Sequence, residues 1–216
     1  MVPALTVFPF PTGNDGVRKS KYGDPAFRGE PMKVAMVTPY WFPVRGGITT
    51  FVAELSSTLR SLEHDVRVFA REGGAPGATE LGGTGREFVA RATEALASFA
   101  PDVVHAHGHW YTLGAGLRHR KRNPGCRVVF TLHTPFPRRS WWRRTAFSFL
   151  LSRADFLTGV SAELLGQTVR TFRPRARTRV TRAGVAVKPT DERETAEFRR
   201  QFARIWSTAL GPPTSR

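Results

Sequence analysis

The sequence predicts an α/β fold, in which a parallel β-sheet carries helices on both faces. Short apolar runs of strand length alternate with longer segments whose apolar residues recur every three or four positions. A glycine pair follows the first of these runs, where a strand would turn into a helix. Between later runs the chain always leaves room for a crossover helix, as parallel pairing requires.

Residues 1–31 show no sustained periodicity and are rich in Pro, Gly, Asn and Asp, so they read as a flexible extension. The domain is expected over residues 32–187. Residues 33–41 form an apolar run suited to a strand buried on both faces. After Gly46-Gly47, the residues Ile48, Phe51, Val52, Leu55, Leu59 and Leu62 place one stripe on a helix over 47–63. DVRVFA (65–70) is the second strand, and the Gly-rich stretch 71–85 is a loop with room for one short strand. Phe88, Val89, Ala92, Leu96 and Phe99 mark the next helix, which Pro101 ends. Strands are predicted at 102–106, 127–132, 155–160 and 178–185, with a helix at 162–172. Residues 188–216 read as a linker, a charged helix-like segment over 191–204 and a polar tail. The layout is Rossmann-like.

With 40% apolar residues and 16 Phe, the 216-residue chain has enough apolar surface for a sizeable core. Cys126 is the only cysteine, which excludes an intrachain disulfide and suits a reducing compartment. No apolar run approaches the roughly 20 residues needed to span a bilayer, and no cationic stretch precedes the apolar start. The expected location is cytoplasmic, with at most peripheral contact with a membrane. The 33 Lys+Arg against 17 Asp+Glu give a net charge of +16. Such a charge fits an anionic partner: membrane surface, phosphorylated substrate or nucleic acid. It equally fits arginines placed on solvated faces.

Three segments hold residues that could carry chemistry. In PVRGGITTF, Gly46 and Gly47 let backbone approach a ligand, and a helix start favours an anion. A tight turn requiring positive φ would explain the pair equally. It is not a dinucleotide fingerprint, since no GxGxxG follows the strand. In DVVHAHGHW, His105, His107 and His109 alternate and would share one face of a strand. A metal would need further ligands, and beyond His133 no ligand motif follows, so no metal is expected. His105 is expected within the strand and His107 exposed at its carboxyl end. In FTLHTPFP, His133 directly follows a strand, placed to hydrogen-bond a substrate hydroxyl or phosphate or to cap the loop.

In order and spacing, these segments resemble the N-terminal domain of glycosyltransferase family 4. MKVAMVTPYWFPVRGGITTFVAELSSTL is similar to that family's opening strand, Gly-Gly loop and first helix. PDVVHAHGHW, VVFTLHT, ADFLTGVSAEL and VTRAGVAV resemble its next landmarks, so that the likeness covers about residues 32–202. The resemblance implies a single GT-B half-domain on the acceptor side of a cleft. It implies retaining transfer of a sugar from a nucleotide-sugar, with no metal or other cofactor. By position, Gly46 and Gly47 would lie against the donor diphosphate, Thr49 and His107 would face the acceptor, and His133 would contact the transferred sugar or the acceptor. Ala183 stands where the family usually has Asn, and Glu63 where Gly often precedes His.

No pattern for the family's donor-binding domain follows residue 187. Little or no turnover is therefore expected without that half; a truncated frame, an isolated domain or a second chain supplying the donor-binding half would each account for the pattern. The alternative is a non-catalytic binding module for a sugar or an anionic lipid. Arg118, Arg120, Lys121 and Arg122 match no nucleic-acid module, so no nucleic-acid partner is expected. Finally, Arg138, Arg139, Arg143 and Arg144 flank Trp141 and Trp142, a pattern suited to contact with an anionic membrane surface. The apolar residues that follow, Phe147, Leu150 and Leu151, are expected to pack on the sheet.

Overall fold

The structure, a computed structural model, describes residues 30–135 and 141–181; of Trp141, Trp142 and Arg143 it describes the backbone alone. The strands are β1 (Lys33–Tyr40), β2 (Asp65–Glu72), β3 (Thr79–Glu80), β4 (Val103–His107), β5 (Arg127–Leu132), β6 (Phe156–Gly159) and β7 (Arg177–Val180). The helices are α1 (Gly47–Ser61), α2 (Gly85–Phe99), α3 (Trp110–Arg122), α4 (Trp141–Leu151) and α5 (Ala162–Phe172). All strands pair in parallel in the order β3-β2-β1-β4-β5-β6-β7.

This order fixes where the helices lie. The chain steps outward from β1 to β2, returns to β4, and then steps outward the other way. Right-handed crossovers therefore put α1 on one face and α2 to α5 on the other. Packing agrees. Val52 of α1 clusters with Val34, Met36, Val66 and Val68. The alternate residues Ala35, Val37 and Val104 pack against Phe88, Leu96 and Tyr111 of α2 and α3. Phe130, Leu132 and Leu157 pack with Phe147, Leu151 and Leu165, so the apolar end of α4 joins the core as expected.

The elements fall close to where the periodicity puts them. Helix α2 begins three residues before its apolar stripe, because the Glu87 carboxylate accepts the Thr84 N–H at 2.8 Å and caps the start. Strand β4 is shifted by one residue and runs through His107. The short strand hidden in the Gly-rich loop is β3. Residues 1–29 of the expected extension, the linker, the tail and Ala183 lie outside the described residues.

Carboxylates close the amino edge of the sheet. Asp102 Oδ2 accepts the Lys33 N–H at 2.7 Å. Asp155 Oδ2 accepts the Val128 N–H at 2.8 Å and a guanidinium N–H of Arg120 at 2.7 Å. Burial pushes the Asp155 carboxyl up, but these donors outweigh it and hold the group below its usual range.

Candidate functional site at the carboxyl edge

Between β1 and α1 the chain folds back on itself. Val44 N–H donates to the Trp41 carbonyl at 3.0 Å, and the Thr49 hydroxyl donates to the Val44 carbonyl at 2.9 Å. Thr49 is only 1% exposed, so it braces the loop from beneath rather than facing the open rim. Gly46 has φ 177°, extended backbone that any residue adopts, and Gly47 is the first residue of α1. Neither glycine lies in the left-handed region, so the tight-turn explanation of the pair does not hold. A Cβ built on either one would meet nothing within 4 Å. Neither conformation nor internal packing demands glycine here. The helix start has no side-chain cap and no acidic residue in its first turn, which leaves its N–H groups open to an anion.

The turn after β4 brings the histidines to the same rim. Gly108 takes φ +75°, and a Cβ there would stand 3.0 Å from Ile48 Cδ1 of α1, so this turn is pressed against the helix start. His107 is fully buried, which corrects the expectation that it is exposed. Phe51 of α1 covers it, ring to ring at 5.8 Å, and His133 closes the other approach. His107 Nδ1 and His133 Nε2 are 3.2 Å apart, so one ring donates and the other accepts. Phe51 also stands edge-on to His133 at 5.1 Å. His133 itself is half-buried.

Behind this pair, His105 Nε2 lies 2.7 Å from Thr131 Oγ1, and Thr131 Oγ1 lies 2.6 Å from Thr158 Oγ1. A row of hydrogen bonds thus crosses three strands. Burial lowers all three imidazoles: His133 to about 4, His105 to about 3 with help from His133, and His107 well below its ordinary value. At neutral pH these rings are uncharged hydrogen-bonding groups. His107 Nε2 is buried without a partner. Among the described residues, no group of three or more His, Cys, Asp or Glu could hold a metal ion.

The family model for Glycosyltransferase Family 4 matches residues 45–188, well over half of the chain, from the glycine pair through the histidine segments. The chain belongs to glycosyltransferase family 4. No individual curated protein matches the sequence. HepE of Anabaena, solved in complex with UDP, superposes with TM-score 0.61 at 16% identity, over 80% of this chain and 50% of that one. A glycosyltransferase of Rickettsia africae gives 0.58 at 13%, over 81% of this chain and 50% of that one. Sucrose-phosphate synthase of Thermosynechococcus elongatus gives 0.54 at 17%, over 81% of this chain and 99% of the chain in that structure. The fold is a GT-B half-domain, and the chain spans about half the length of the first two of these.

The family 4 chain holds a second polar cluster on the same edge that sequence reasoning missed. Tyr40, Arg71, Glu72, His109 and Tyr111 meet above β1, β2 and β4. The Arg71 guanidinium lies over the Tyr111 ring at 5.1 Å, and His109 stacks on Tyr111 at 5.1 Å with 13° between planes. Tyr40 is edge-on to His109 at 6.2 Å, and Arg71 pairs with Glu72. The dense aromatic run His109-Trp110-Tyr111 was the available signal, but nothing in the sequence tied it to β2.

Of the basic-aromatic segment, Arg138 and Arg139 lie outside the described residues. Helix α4 begins at Trp141, and Arg144 is exposed. No helix among the described residues is long and apolar enough to cross a membrane.

Proposed function

We propose that this chain is the acceptor-side half of a retaining glycosyltransferase, which moves a sugar from a nucleotide-sugar to an acceptor. One observation carries the reading. Two glycines that the protein's own packing does not require stand at an uncapped helix start, on the same rim as a neutral His107–His133 pair. A diphosphate placed there gains amide donors and the helix dipole without a Cβ in its way. Gly46 and Gly47 take the donor diphosphate, and His133 takes a hydroxyl of the transferred sugar or of the acceptor. If His107 Nδ1–H donates to His133, the Nδ1–H of His133 is free to donate outward. His107 thereby orients His133, and Thr49 holds the loop.

Stabilising a leaving diphosphate is chiefly electrostatic. By family resemblance that charge comes from a donor-binding half, so turnover depends on that half being supplied. The arginines and tryptophans Arg138, Arg139, Trp141, Trp142, Arg143 and Arg144 contact an anionic membrane surface, each arginine adding about 1 kcal/mol there. Sedimentation with anionic vesicles should fall in a Trp141→Ala, Trp142→Ala variant. Equal binding to neutral vesicles would remove the membrane role.

The test of the cleft has two parts. Titrating pyrophosphate into the chain should shift the backbone amide resonances of Gly46 and Gly47. Unmoved amides would overturn the donor site. Combined with the donor-binding half of a family member, the chain should release UDP from UDP-sugars, and His133→Ala should lower kcat about 10²-fold. Full activity in that variant would remove the role given to His133.

A further inference from the structure

The two faces of the sheet are covered unequally. Val128, Phe130 and Leu157 pack under α4 and α5. Arg127 and Val129 of β5 and Phe156 of β6 alternate with them and so point to the opposite face. Arg177 of β7 is in register with Phe156 and shares that face. There α1 lies over β1 and β2, while α5, which packs on β6 and β7, is on the other side. Phe156 is left 42% exposed. A cavity of about 470 Å³ opens beside it, lined by Arg127, Asp155, Phe156 and Arg177. Arg127, Phe156 and Arg177 each begin their strand, so the cavity lies at the opposite end of the sheet from the glycine pair.

The protein makes little use of the two guanidiniums. Arg127 reaches Asp155 Oδ1 only at 3.5 Å, and its side chain is 72% exposed. The Arg177 guanidinium has no hydrogen bond or ion pair among the described residues. Asp155 is engaged: its Oδ2 accepts from Arg120 at 2.7 Å, which balances its charge, and from the Val128 N–H. The cavity thus offers two uncommitted cations beside a carboxylate that is already neutralised, which favours an anion. Arg153 and Arg175, exposed in the turns leading into β6 and β7, add to the positive field. The ring decides which anion fits. Bare phosphate would leave Phe156 in water, whereas a base stacked on the ring, with its phosphate between the guanidiniums, uses both. The next row on this face holds Thr131 and Thr158, both buried, so there is a platform for one base and none for a strand of them. The volume also suits a small molecule.

We infer that Arg127, Asp155, Phe156 and Arg177 form a binding site for a nucleoside monophosphate. The base stacks on Phe156, and the phosphate bridges Arg127 and Arg177. Asp155 Oδ1, whose only side-chain partner among the described residues is Arg127 at 3.5 Å, accepts from a ribose hydroxyl or a base amino group. The site is built from side chains at the amino end of the sheet, and the glycine loop from backbone amides at the carboxyl end. Neither depends on the other, so this inference stands apart from the glycosyltransferase reading.

The test uses the full chain and four probes: AMP, UMP, adenosine and inorganic phosphate. In amide NMR spectra, AMP or UMP should move the Phe156 and Arg177 resonances saturably. Adenosine and inorganic phosphate should each bind about tenfold more weakly, since each lacks half of the contacts. Arg177→Gln and Phe156→Leu should each weaken nucleotide binding about tenfold, with Phe156→Tyr retaining most of it. Both side chains are exposed, and unchanged spectra elsewhere would verify the fold. No saturable shift at Phe156 and Arg177 with either nucleotide overturns the site. So does inorganic phosphate binding as tightly as AMP, which would mean an anion patch only, or undiminished binding in the two variants. The pyrophosphate shifts at Gly46 and Gly47 are read on the same samples. If they persist while both nucleotides fail, this site alone is lost; if they vanish while a nucleotide binds at Phe156, the cleft reading is lost and this site stands.

Discussion

The two edges of this sheet treat polar groups in opposite ways. At the amino edge, Asp102 and Asp155 turn back onto strand N–H groups, and Arg120 completes the set. At the carboxyl edge, His107 Nε2, Tyr111 Oη and Arg71 Nε are left without partners, and a helix start stands uncapped. Both edges are built from the same strands, so neither composition nor strand propensity explains the contrast. At the amino edge the protein's own carboxylates meet the strand N–H groups of Lys33 and Val128, and the His119 imidazole near the end of α3 keeps one buried nitrogen, Nε2, without a partner. The carboxyl edge is unfinished, as a surface is when its missing partners arrive from outside.

The contrast can be broken by exchanging the consequences of mutation between edges. The largest effect is expected at the amino edge. Asp155→Ala strips acceptors from Val128 and Arg120 and should cost about 3 kcal/mol of stability. Urea unfolding would measure this, while the Gly46 and Gly47 amide shifts with pyrophosphate should persist in the folded variant. Gly47→Val should do the reverse. Its added side chain meets no protein atom at Cβ, so stability should hold, while pyrophosphate affinity falls about thirtyfold, or roughly 2 kcal/mol. A large loss of stability in that variant would mean that the glycine serves the fold.

Acid should also act on the unfinished edge. His105 and His133 have folded pKa values depressed to about 3 and about 4, below the ordinary 6.5. Between these values and 6.5 the unfolded chain binds more protons, so their contribution is complete above about pH 6.5 and is lost as pH falls toward 4. Melting temperature followed from pH 7 to 4 should drop, and His105→Gln should flatten part of that drop. Parallel profiles for the variant and the natural chain would count against the buried, neutral assignment. The smallest change is Thr49→Val, which removes one hydroxyl bond to the Val44 carbonyl and should cost about 1 kcal/mol. Because it loosens the loop, it should also weaken pyrophosphate binding slightly, unlike any amino-edge variant.

Much of this architecture could be read in advance because its signal is periodic. The unbroken apolar run Val34 to Val37 is covered on both faces, by α1 on one side and by α2 and α3 on the other. In β4 and β5, by contrast, His105, His107 and Thr131 alternate with Val104, Ala106 and Phe130. The fully buried apolar residues of those strands lie on one face, and the histidines lie on the other, where Val103 packs toward the cluster under α1. What the sequence hid were contacts between distant segments. His107 looks like an end-of-strand, exposed residue until Phe51 and His133 close over it. Thr49 sits at a helix start that invites a ligand, yet the loop curls so that Val44 takes its hydroxyl. The Arg71–Tyr111 cluster draws on two strands, a turn and a helix, and no local spacing connects them.

The row His105–Thr131–Thr158 has a consequence for accuracy of assembly. Backbone ladders in a parallel sheet tolerate sliding, because every rung looks alike to the next. Side-chain rungs do not, since a shift of one residue in any of the three strands would turn that strand's polar group into the apolar layer on the opposite face. The row therefore works as a ruler laid across β4, β5 and β6. The register it favours is the one in which β4 and β5 carry His107 and His133 to neighbouring ends, 3.2 Å apart.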